Sequence, residues 1–159
     1  MMSIAEKIEK SIAFLSEDLS KLQDPVYIIG SSALVLAGIP LETNNDIDLL
    51  SSQADANFLK KHWKTNKIET YEPQDSDKFR SDFGRFQWDT VLVEVMGDLE
   101  IFHKGSWQKL QITEYFEISI NQLTIRIPTL KEQERVFRLF GRPKDLVKAD
   151  KITKHIIQP

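Results

Sequence analysis

The sequence predicts a mixed α/β fold in which helices are added at both ends of a central set of strands. Three observations carry this prediction: apolar residues at helical spacing over 4–22, short β-branched runs alternating with helical segments over 26–127, and renewed helical spacing after residue 129. Strands and helices mixed in this order are typical of a sheet covered by helices. We expect one domain, with an N-terminal helix (1–23), a sheet region (26–127) and C-terminal helices (129–157).

The composition narrows the class of protein before any motif is considered. The chain of 159 residues is 41% hydrophobic and 28% charged, as in an ordinary soluble globular domain. It has no cysteine, which excludes disulfides, zinc fingers and cysteine nucleophiles. Its 21 basic and 24 acidic residues leave a formal charge of −3, which argues against a long nucleic acid as partner. No segment resembles a signal peptide or a membrane span, and we expect a cytoplasmic protein.

The first elements follow from apolar spacing and from proline. The helix over 4–22 is expected to cover the sheet, and Asp24-Pro25 ends it because proline disfavours helical backbone in the residue before it. The apolar run Val26–Ile29 predicts a buried strand that ends at Gly30, and small residues over 31–37 predict a second helix.

The central region alternates strand and helix signals. We expect Phe83-Gly84 to form a hairpin or a bulge, and Leu99–His103 to be the hairpin partner of the β-branched run Val91–Val95. The remaining predicted elements are a strand over 46–50, a helix over 54–63, a strand over 67–71, a polar turn over 73–77 and a loosely alternating segment over 79–88.

The C-terminal part carries helix-boundary signals. Thr129 with Glu132 three residues later predicts a capping box, Gly141 ends that helix, and Pro143 is tolerated at the first turn of the last one. Just before these helices, Asn121-Gln122 predicts a short hairpin between strands over 118–120 and 123–127.

A glycine turn at the end of the first strand predicts a phosphate-binding site. Gly30 lets the backbone approach a phosphate closely, and the helix that follows presents free N–H groups and a positive dipole. Ser31 and Ser32 add hydroxyl donors at the same place.

Two aspartates on the next strand predict a metal site. Asp46 and Asp48 are two residues apart, so both point to one face, where they repel each other unless a cation lies between them. Oxygen ligands with open positions suit Mg²⁺ or Mn²⁺. A two-metal site needs a third acid, and Glu94, central in an apolar strand, is the preferred residue, with Glu100 as the alternative.

These residues resemble the signature of the polymerase-β-like nucleotidyltransferase superfamily, which is a hydrophobic strand, Gly-Gly or Gly-Ser, a spacer, Asp-x-Asp and a later acid on another strand. The matches are Gly30-Ser31, Asp46-Ile47-Asp48-Leu49 and Glu94. The pattern is most similar to the compact bacterial branch with aminoglycoside- and lincosamide-modifying enzymes. The Gly141–Asp145 segment, Gly-Arg-Pro-Lys-Asp, is also similar to one frequent in that branch, and the resemblance spans roughly residues 26–150.

The resemblance implies a short mixed sheet with packed helices and a defined reaction. A nucleoside monophosphate is expected to pass from a nucleoside triphosphate, expected to be ATP, to an acceptor hydroxyl, with release of pyrophosphate. The resemblance also implies the role of each residue: Gly30, Ser31 and Ser32 hold the triphosphate, Asp46 and Asp48 bind Mg²⁺ or Mn²⁺, and Glu94 completes the metal ligands or acts as base.

Basic residues outside the signature are less specific. Lys144 is a further nucleotide-binding residue by its place in the similar segment, although Lys144 and Asp145 would also suit a helix start with no substrate contact. Arg80 and Arg85 lie before the strand of Glu94, where they either meet phosphate or, as we favour, belong to a solvated hairpin.

Two other functions stay open. Many relatives carry an arginine and a threonine just before Asp-x-Asp, whereas residues 41–45 here are Leu-Glu-Thr-Asn-Asn. This departure favours a non-catalytic module, such as an antitoxin, a regulatory subunit or a nucleotide sensor. The second alternative is a metal-dependent phosphodiesterase or nuclease, which the acidic balance disfavours. The acceptor, the base preference, and a homodimer or partner protein are not determined by the sequence.

Overall fold

One mixed sheet forms the centre of the molecule in the computed structural model, which describes residues 2–42, 46–69, 73 and 75–157. Within these residues seven strands and five α-helices are present. The strands are β1 (Tyr27–Ile29), β2 (Asp46–Ser51), β3 (Phe79–Trp88), β4 (Val91–His103), β5 (Ser106–Lys109), β6 (Tyr115–Ile120) and β7 (Leu123–Pro128). The helices are α1 (Ile4–Leu19), α2 (Gly30–Leu36), α3 (Gln53–His62), α4 (Leu130–Phe140) and α5 (Pro143–Ile157), with a 3-10 turn at Lys64–Asn66.

The strand order places β2 and β4 side by side in the middle of the sheet. The order is β3-β4-β2-β1-β7-β6, and β5 pairs with the far part of β4. β2 is parallel to β4, and β1 is parallel to β7, while the other neighbours are antiparallel. The prediction of a mixed sheet with flanking helices is confirmed.

The two faces of the sheet have different environments. One face carries Ile28, Ile47, Leu49, Val93 and Val95 into the main core, where apolar residues of α1 and α3 cover them. The opposite face packs only in part against α4, through residues such as Ile29, Leu50 and Leu99. Because side chains alternate along a strand, Asp46, Asp48 and Glu94 lie on this second face, which α4 leaves partly open.

The terminal helices and the last hairpin form where predicted, with two differences: α1 ends at Leu19 rather than at residue 22, and one half of a capping box is absent. Ser3 caps α1 through a capping box with Glu6, Gly141 ends α4 with a φ of 71°, and Asn121 and Gln122 form the turn between β6 and β7. Thr129 accepts the Glu132 N–H at 3.2 Å. The reciprocal half of that capping box is wrong, because the Glu132 carboxylate instead accepts hydrogen bonds from Thr113 and Arg135.

The prediction for the region of β3 and β4 is wrong in two places. Residues 79–88 form one strand in which Gly84 pairs with Val95, so Phe83-Gly84 is neither hairpin nor bulge. The hairpin partner of 91–95 is β3, and Leu99–His103 continues β4 itself. The register shifts between Arg80 and Asp82 of β3, where β4 has one residue more between Gly97 and Glu100, and Asp98 at this bulge has a φ of 49°.

The predicted strand over 67–71 does not form in its described part. Lys67 makes an isolated bridge to Phe86, and Ile68 donates its N–H to the Arg85 carbonyl at 2.8 Å, but residues 67–69 build no strand. Tyr71 lies outside the described residues. Within the described part of the chain, no helix combines the length and apolarity that a membrane span requires.

Candidate active site

The parallel pairing of β2 with β4 brings Asp48 and Glu94 side by side. They are register partners, and partners on neighbouring strands of a sheet point to the same face. Asp46 lies two residues earlier on β2 and therefore shares this face. Glu100 is six residues further along β4, roughly 20 Å away at about 3.3 Å per residue, and its carboxylate binds Arg80 at 2.9 Å. The structure thus gathers the three preferred acids and leaves the alternative apart.

Gly30 faces the Asp48 carboxylate across the β1–β2 pair. Its φ of 73° is in the left-handed region, and a Cβ built on Gly30 would stand 2.6 Å from Asp48 Oδ2. Only a residue without a side chain leaves both the turn and the carboxylate in place. The glycine of the predicted phosphate turn therefore also shapes the acid site.

The two serines after Gly30 differ in their surroundings. Ser31 is half-buried in the first turn of α2. Ser32 is buried, and its hydroxyl donates to the Asp46 carbonyl at 2.6 Å, so it ties α2 to the first residue of β2. A contact of either serine with phosphate remains a prediction, and the bond that Ser32 makes here is one that positions Asp46.

The Asp48 carboxylate is only partly compensated. Its Oδ1 is buried and has no hydrogen-bond partner within the described residues. Burial first, then the charges of Glu94 and Asp46 and a hydrogen bond shared with Glu94, raise the pKa of Asp48 to about 7, while the charge of Lys148 opposes that shift. A buried carboxylate held beside two others is costly unless a cation or a proton accompanies it.

Glu94 is held by an arginine from the next strand. Arg85 and Glu94 are register partners on β3 and β4, and Arg85 Nη1 lies 2.7 Å from Glu94 Oε2. Their side chains are 21% and 17% exposed, so water screens this pair only in part. Arg85 is therefore a strand residue at the acid cluster, which replaces the interpretation that it belongs to a solvated hairpin.

A cleft of about 430 Å³ opens over Asp48 and Glu94 on the side of α4 and α5, and Asp46, Ser31 and Ser32 are not among the residues that line it. Its floor includes Gly30, Asp48 and Glu94, and its far wall carries Lys144 and Lys148 from α5. Two larger but more open depressions, of about 730 and 660 Å³, lie elsewhere and contain none of the predicted site residues. We take the cleft over Asp48 as the candidate active site because chemistry-bearing residues from four elements converge there.

Solved structures with the same architecture cover nearly the whole chain. A protein of Thermotoga maritima described as a nucleotidyltransferase matches with a TM-score of 0.73 at 20% identity, over 99% of this chain and 97% of that one. An antigenic nucleotidyltransferase-like protein of Paracoccidioides brasiliensis matches with a TM-score of 0.57 at 14% identity, over 95% and 77% of the two chains. A lincosamide antibiotic adenylyltransferase with bound lincomycin matches at 0.54 and 14%, over 96% and 98%.

The chain has the nucleotidyltransferase fold. The expected resemblance to nucleotidyltransferases is confirmed at the level of architecture. No protein-family model matches the sequence, and no curated protein matches it either.

On this nucleotidyltransferase fold, the fit of a divalent metal can be judged from the acids themselves. Within the described residues, no three histidine, aspartate or glutamate side chains are arranged as a ready ligand set. The ion pair between Glu94 and Arg85 agrees with this finding, because it occupies the carboxylate of one of the three acids. Asp46 and Asp48 nevertheless suit a cation, because the orphaned Oδ1 and the raised pKa of Asp48 are what a bound cation would relieve.

The segment that resembles Gly-Arg-x-Lys-Asp contains both a structural pair and a cleft residue. Asp145 is buried and binds Arg142 at 2.6 Å, and it also accepts the Arg142 backbone N–H at 3.2 Å. Asp145 thus stabilises the start of α5, which agrees with the interpretation that this segment suits a helix start. Lys144, its neighbour, is exposed and lines the cleft, which is where a nucleotide-binding residue is expected.

Sequence reasoning missed the cleft residue Lys148 and misjudged Arg85, which lies beside the cleft at Glu94. Lys148 lines the cleft, and its spacing of four from Lys144 on a predicted helix was the signal that could have found it. Arg85 could have been paired with Glu94 only if the true hairpin at Asp89-Thr90 had been recognised, because that turn sets the register of β3 on β4.

Proposed function

We propose that this protein is a metal-dependent nucleotidyltransferase that transfers a nucleoside monophosphate from a nucleoside triphosphate, ATP above all, to an acceptor hydroxyl. The observation that carries the proposal is the buried carboxylate of Asp48, whose Oδ1 has no hydrogen-bond partner among the described residues and which lies beside Glu94, Asp46 and the Gly30 turn at the floor of a cleft. A buried carboxylate with an unpartnered oxygen beside two other acids costs stability, and perturbed acids in clefts are typical of functional sites.

The proposed reaction is one displacement at the α-phosphorus. The acceptor hydroxyl oxygen forms a bond to that phosphorus, the bond from phosphorus to the bridging oxygen breaks, and pyrophosphate leaves with the bond electrons. The hydroxyl proton passes to Glu94 or to solvent. Catalysis of this kind depends on positioning and on neutralising charge rather than on covalent chemistry of the protein.

Each residue has a role that follows from its place. Asp46 and Asp48 are the proposed ligands of Mg²⁺ or Mn²⁺, which when bound supplies charge neutralisation at the phosphates. Gly30 permits close approach of the triphosphate to the backbone, and Lys144 meets it from α5. Glu94 either completes the metal ligands or accepts the proton, and Arg85 holds its carboxylate in position.

The fold supports this proposal. The solved structures that share the architecture include proteins described as nucleotidyltransferases and an antibiotic adenylyltransferase. The acceptor of the present chain is not implied by that likeness, because acceptor sites are built from variable parts of a common fold.

Isothermal titration with each nucleoside triphosphate, with and without Mg²⁺, tests the site first. We expect Mg²⁺-dependent binding to the wild type and its loss in Asp46→Asn/Asp48→Asn. Asp150→Asn, an exposed acid on α5, is the matched control and should bind as the wild type. Binding that survives in the double variant would place the nucleotide elsewhere and overturn the assignment.

Pyrophosphate release then tests the reaction, with small hydroxyl-bearing acceptors, aminoglycosides and lincosamides as the first panel. Asp48→Asn should abolish turnover while the fold is retained. Turnover retained in Asp48→Asn would contradict the proposed mechanism.

The absence of any basic residue in positions 41–45 supports a second function, a non-catalytic nucleotide-binding module. Metal-dependent nucleotide binding without pyrophosphate release for any acceptor, together with copurification of a second chain, would favour this alternative.

A further inference from the structure

Lys148 is a half-buried cation on the cleft wall. It lies on α5, lines the cleft together with Asp48 and Gly30, and has its Nζ 5.6 Å from the centre of the Phe137 ring. Within the part of the chain that the structure describes, it forms no ion pair and no hydrogen bond. An ammonium group that is half withdrawn from water, with neither an ion pair nor a hydrogen bond, is only weakly compensated in the ligand-free protein.

The neighbouring arginine differs, because its charge is already compensated. Arg142 Nε lies 2.6 Å from Asp145 Oδ2, and Arg142 Nη1 lies 3.3 Å from Asp75 Oδ2. Its guanidinium also stacks 4.9 Å from the centre of the Phe79 ring. Arg142 is thus fixed by the protein, whereas the positive charge of Lys148 is not.

Lys144 and Lys148 form a like-charged pair on one helix. They are four residues apart on α5, so they lie on the same face, and both line the cleft. Like charges at this spacing destabilise a helix slightly. Burial, and the charges of Lys144 and Arg142, lower the pKa of Lys148, while Asp145 and Asp48 oppose that shift. A ligand with several negative charges would relieve both the repulsion and the desolvation.

A positive charge near the acid cluster would favour the binding of a nucleotide. A triphosphate next to Asp48 and Glu94 adds negative charge to a site that already contains several carboxylates, and the two repel each other. The residues that precede Asp46, Leu-Glu-Thr-Asn-Asn, carry no basic side chain. Positive charge must therefore come from another element. Arg80 of β3 also lines the cleft, but it binds Glu100, whereas α5 presents two lysines on the wall of the same cleft.

We propose that Lys148, together with Lys144, binds the β- and γ-phosphates of the substrate and so supplies the positive charge that the segment before Asp46 lacks. This inference rests on the proposed function for the identity of the nucleotide, but the clamp itself recognises a polyphosphate. Ammonium groups bind phosphate oxygens through charge-assisted hydrogen bonds, which are about twice as strong as neutral ones. Lys148 is thus a substrate-binding residue, and its removal should weaken binding more than it alters folding.

Isothermal titration with inorganic triphosphate, without metal, tests the clamp independently of chemistry. We expect Lys148→Met to raise the Kd about ten- to hundredfold, the range for a lost hydrogen bond to a charged group. Lys148→Arg should keep most of the affinity because it keeps the charge. Lys154→Met, which removes an exposed lysine of the same helix, is the matched control and should bind as the wild type.

Thermal unfolding of the ligand-free variants separates a binding role from a structural one. Lys148→Met should unfold at about the same temperature as the wild type, because the lost attraction to Asp145 and Asp48 is offset by the lost cost of burying the charge. Binding by Lys148→Met within twofold of the wild type, no binding of triphosphate by the wild type, or a lower unfolding temperature together with unchanged affinity would each overturn the inference. Triphosphate binding that depends on Lys148, in a protein that releases no pyrophosphate from any nucleotide, would contradict the proposed function and leave the clamp standing.

Discussion

The Cα of Gly30 lies so close to Asp48 that a Cβ added to the glycine would stand 2.6 Å from the Asp48 Oδ2. The Asp48 carboxylate thus takes the space in which a side chain at position 30 would lie. Both the approach of a phosphate to the turn and the position of Asp48 on β2 therefore depend on this contact. A methyl group added at Gly30 should disturb both.

Gly30→Ala tests this contact. We expect a loss of about 1–2 kcal/mol in the free energy of unfolding from the left-handed backbone, together with lost nucleotide binding because the Asp48 carboxylate must move. Gly105→Ala is the matched control, because Gly105 has a φ of 82° and nothing within 4 Å of its added Cβ. The control should show the backbone cost alone, measured by urea denaturation and nucleotide titration. Equal nucleotide binding in Gly30→Ala and Gly105→Ala would contradict the shared role.

Asp48→Asn should change stability and function in opposite directions. The neutral amide removes the repulsion with Glu94 and Asp46, so we expect the metal-free protein to gain about 1–3 kcal/mol at pH 8. Urea denaturation in EDTA measures this gain, and pyrophosphate release measures the loss of turnover. Asp150→Asn, which lies in an exposed ion pair, should change neither. A destabilised Asp48→Asn would show that the carboxylate is compensated in the folded protein.

The pair of Arg85 and Glu94 should be energetically coupled. Arg85→Met leaves a second uncompensated carboxylate beside Asp48, and we expect a cost of about 2 kcal/mol, most of which Glu94→Gln should restore in the same background. A double-mutant cycle by urea denaturation measures the coupling. The control is the pair of Arg80 and Glu100 on the same two strands, whose side chains are 52% and 32% exposed. Exposed pairs couple only weakly because water screens them, and equal coupling in both pairs would contradict the special position of Glu94.

Glu132 should make stability depend on pH in the acid range. It is 2% exposed, and although burial alone raises the pKa of its carboxyl, hydrogen bonds from Arg135 and Thr113 outweigh burial and lower that pKa to about 2. Because the folded pKa is lower than the ordinary 4.5, the stabilisation is complete above about pH 5 and is lost as the pH falls through 2. Glu132→Gln should therefore cost about 2–3 kcal/mol at pH 7 and progressively less toward pH 2.

The measurement is the free energy of unfolding of Glu132→Gln and the wild type between pH 7 and pH 2. Glu9→Gln, an exposed glutamate on α1, serves as the control and should track the wild type. A difference between Glu132→Gln and the wild type that is constant over this range would show that the carboxylate charge is not the stabilising feature.

Local patterns predicted most elements because their causes are local. The helical spacing of α1, the capping of α4 by Thr129, the end of α4 at Gly141 and the turn at Asn121-Gln122 each depend on a few neighbouring residues. The same is true of Asp46 and Asp48, whose common face follows from strand alternation alone.

Elements that depend on long-range pairing were predicted less well. Gly97-Asp98 has the composition of a turn, yet β4 continues through it, because the pairing with β3 and β5 on either side holds the strand and a bulge absorbs the bend. Gly97 is required there for another reason, since an added Cβ would stand 2.6 Å from the Cβ of Ala56 on α3. No neighbour in the sequence contains that information.

The sequence by itself determined the α/β class, the glycine turn, the two aspartates on one face and the resemblance to nucleotidyltransferases. Each of these depends on the types of residues that lie close together in the chain. Only the tertiary structure decided that Glu94 rather than Glu100 joins them, since that depends on the register of β4 against β2. It also decided that Arg85 holds Glu94 and that Lys148 faces the cleft. Charges interact through space, so the partners of a carboxylate are set by how distant strands and helices pack and not by their order in the chain.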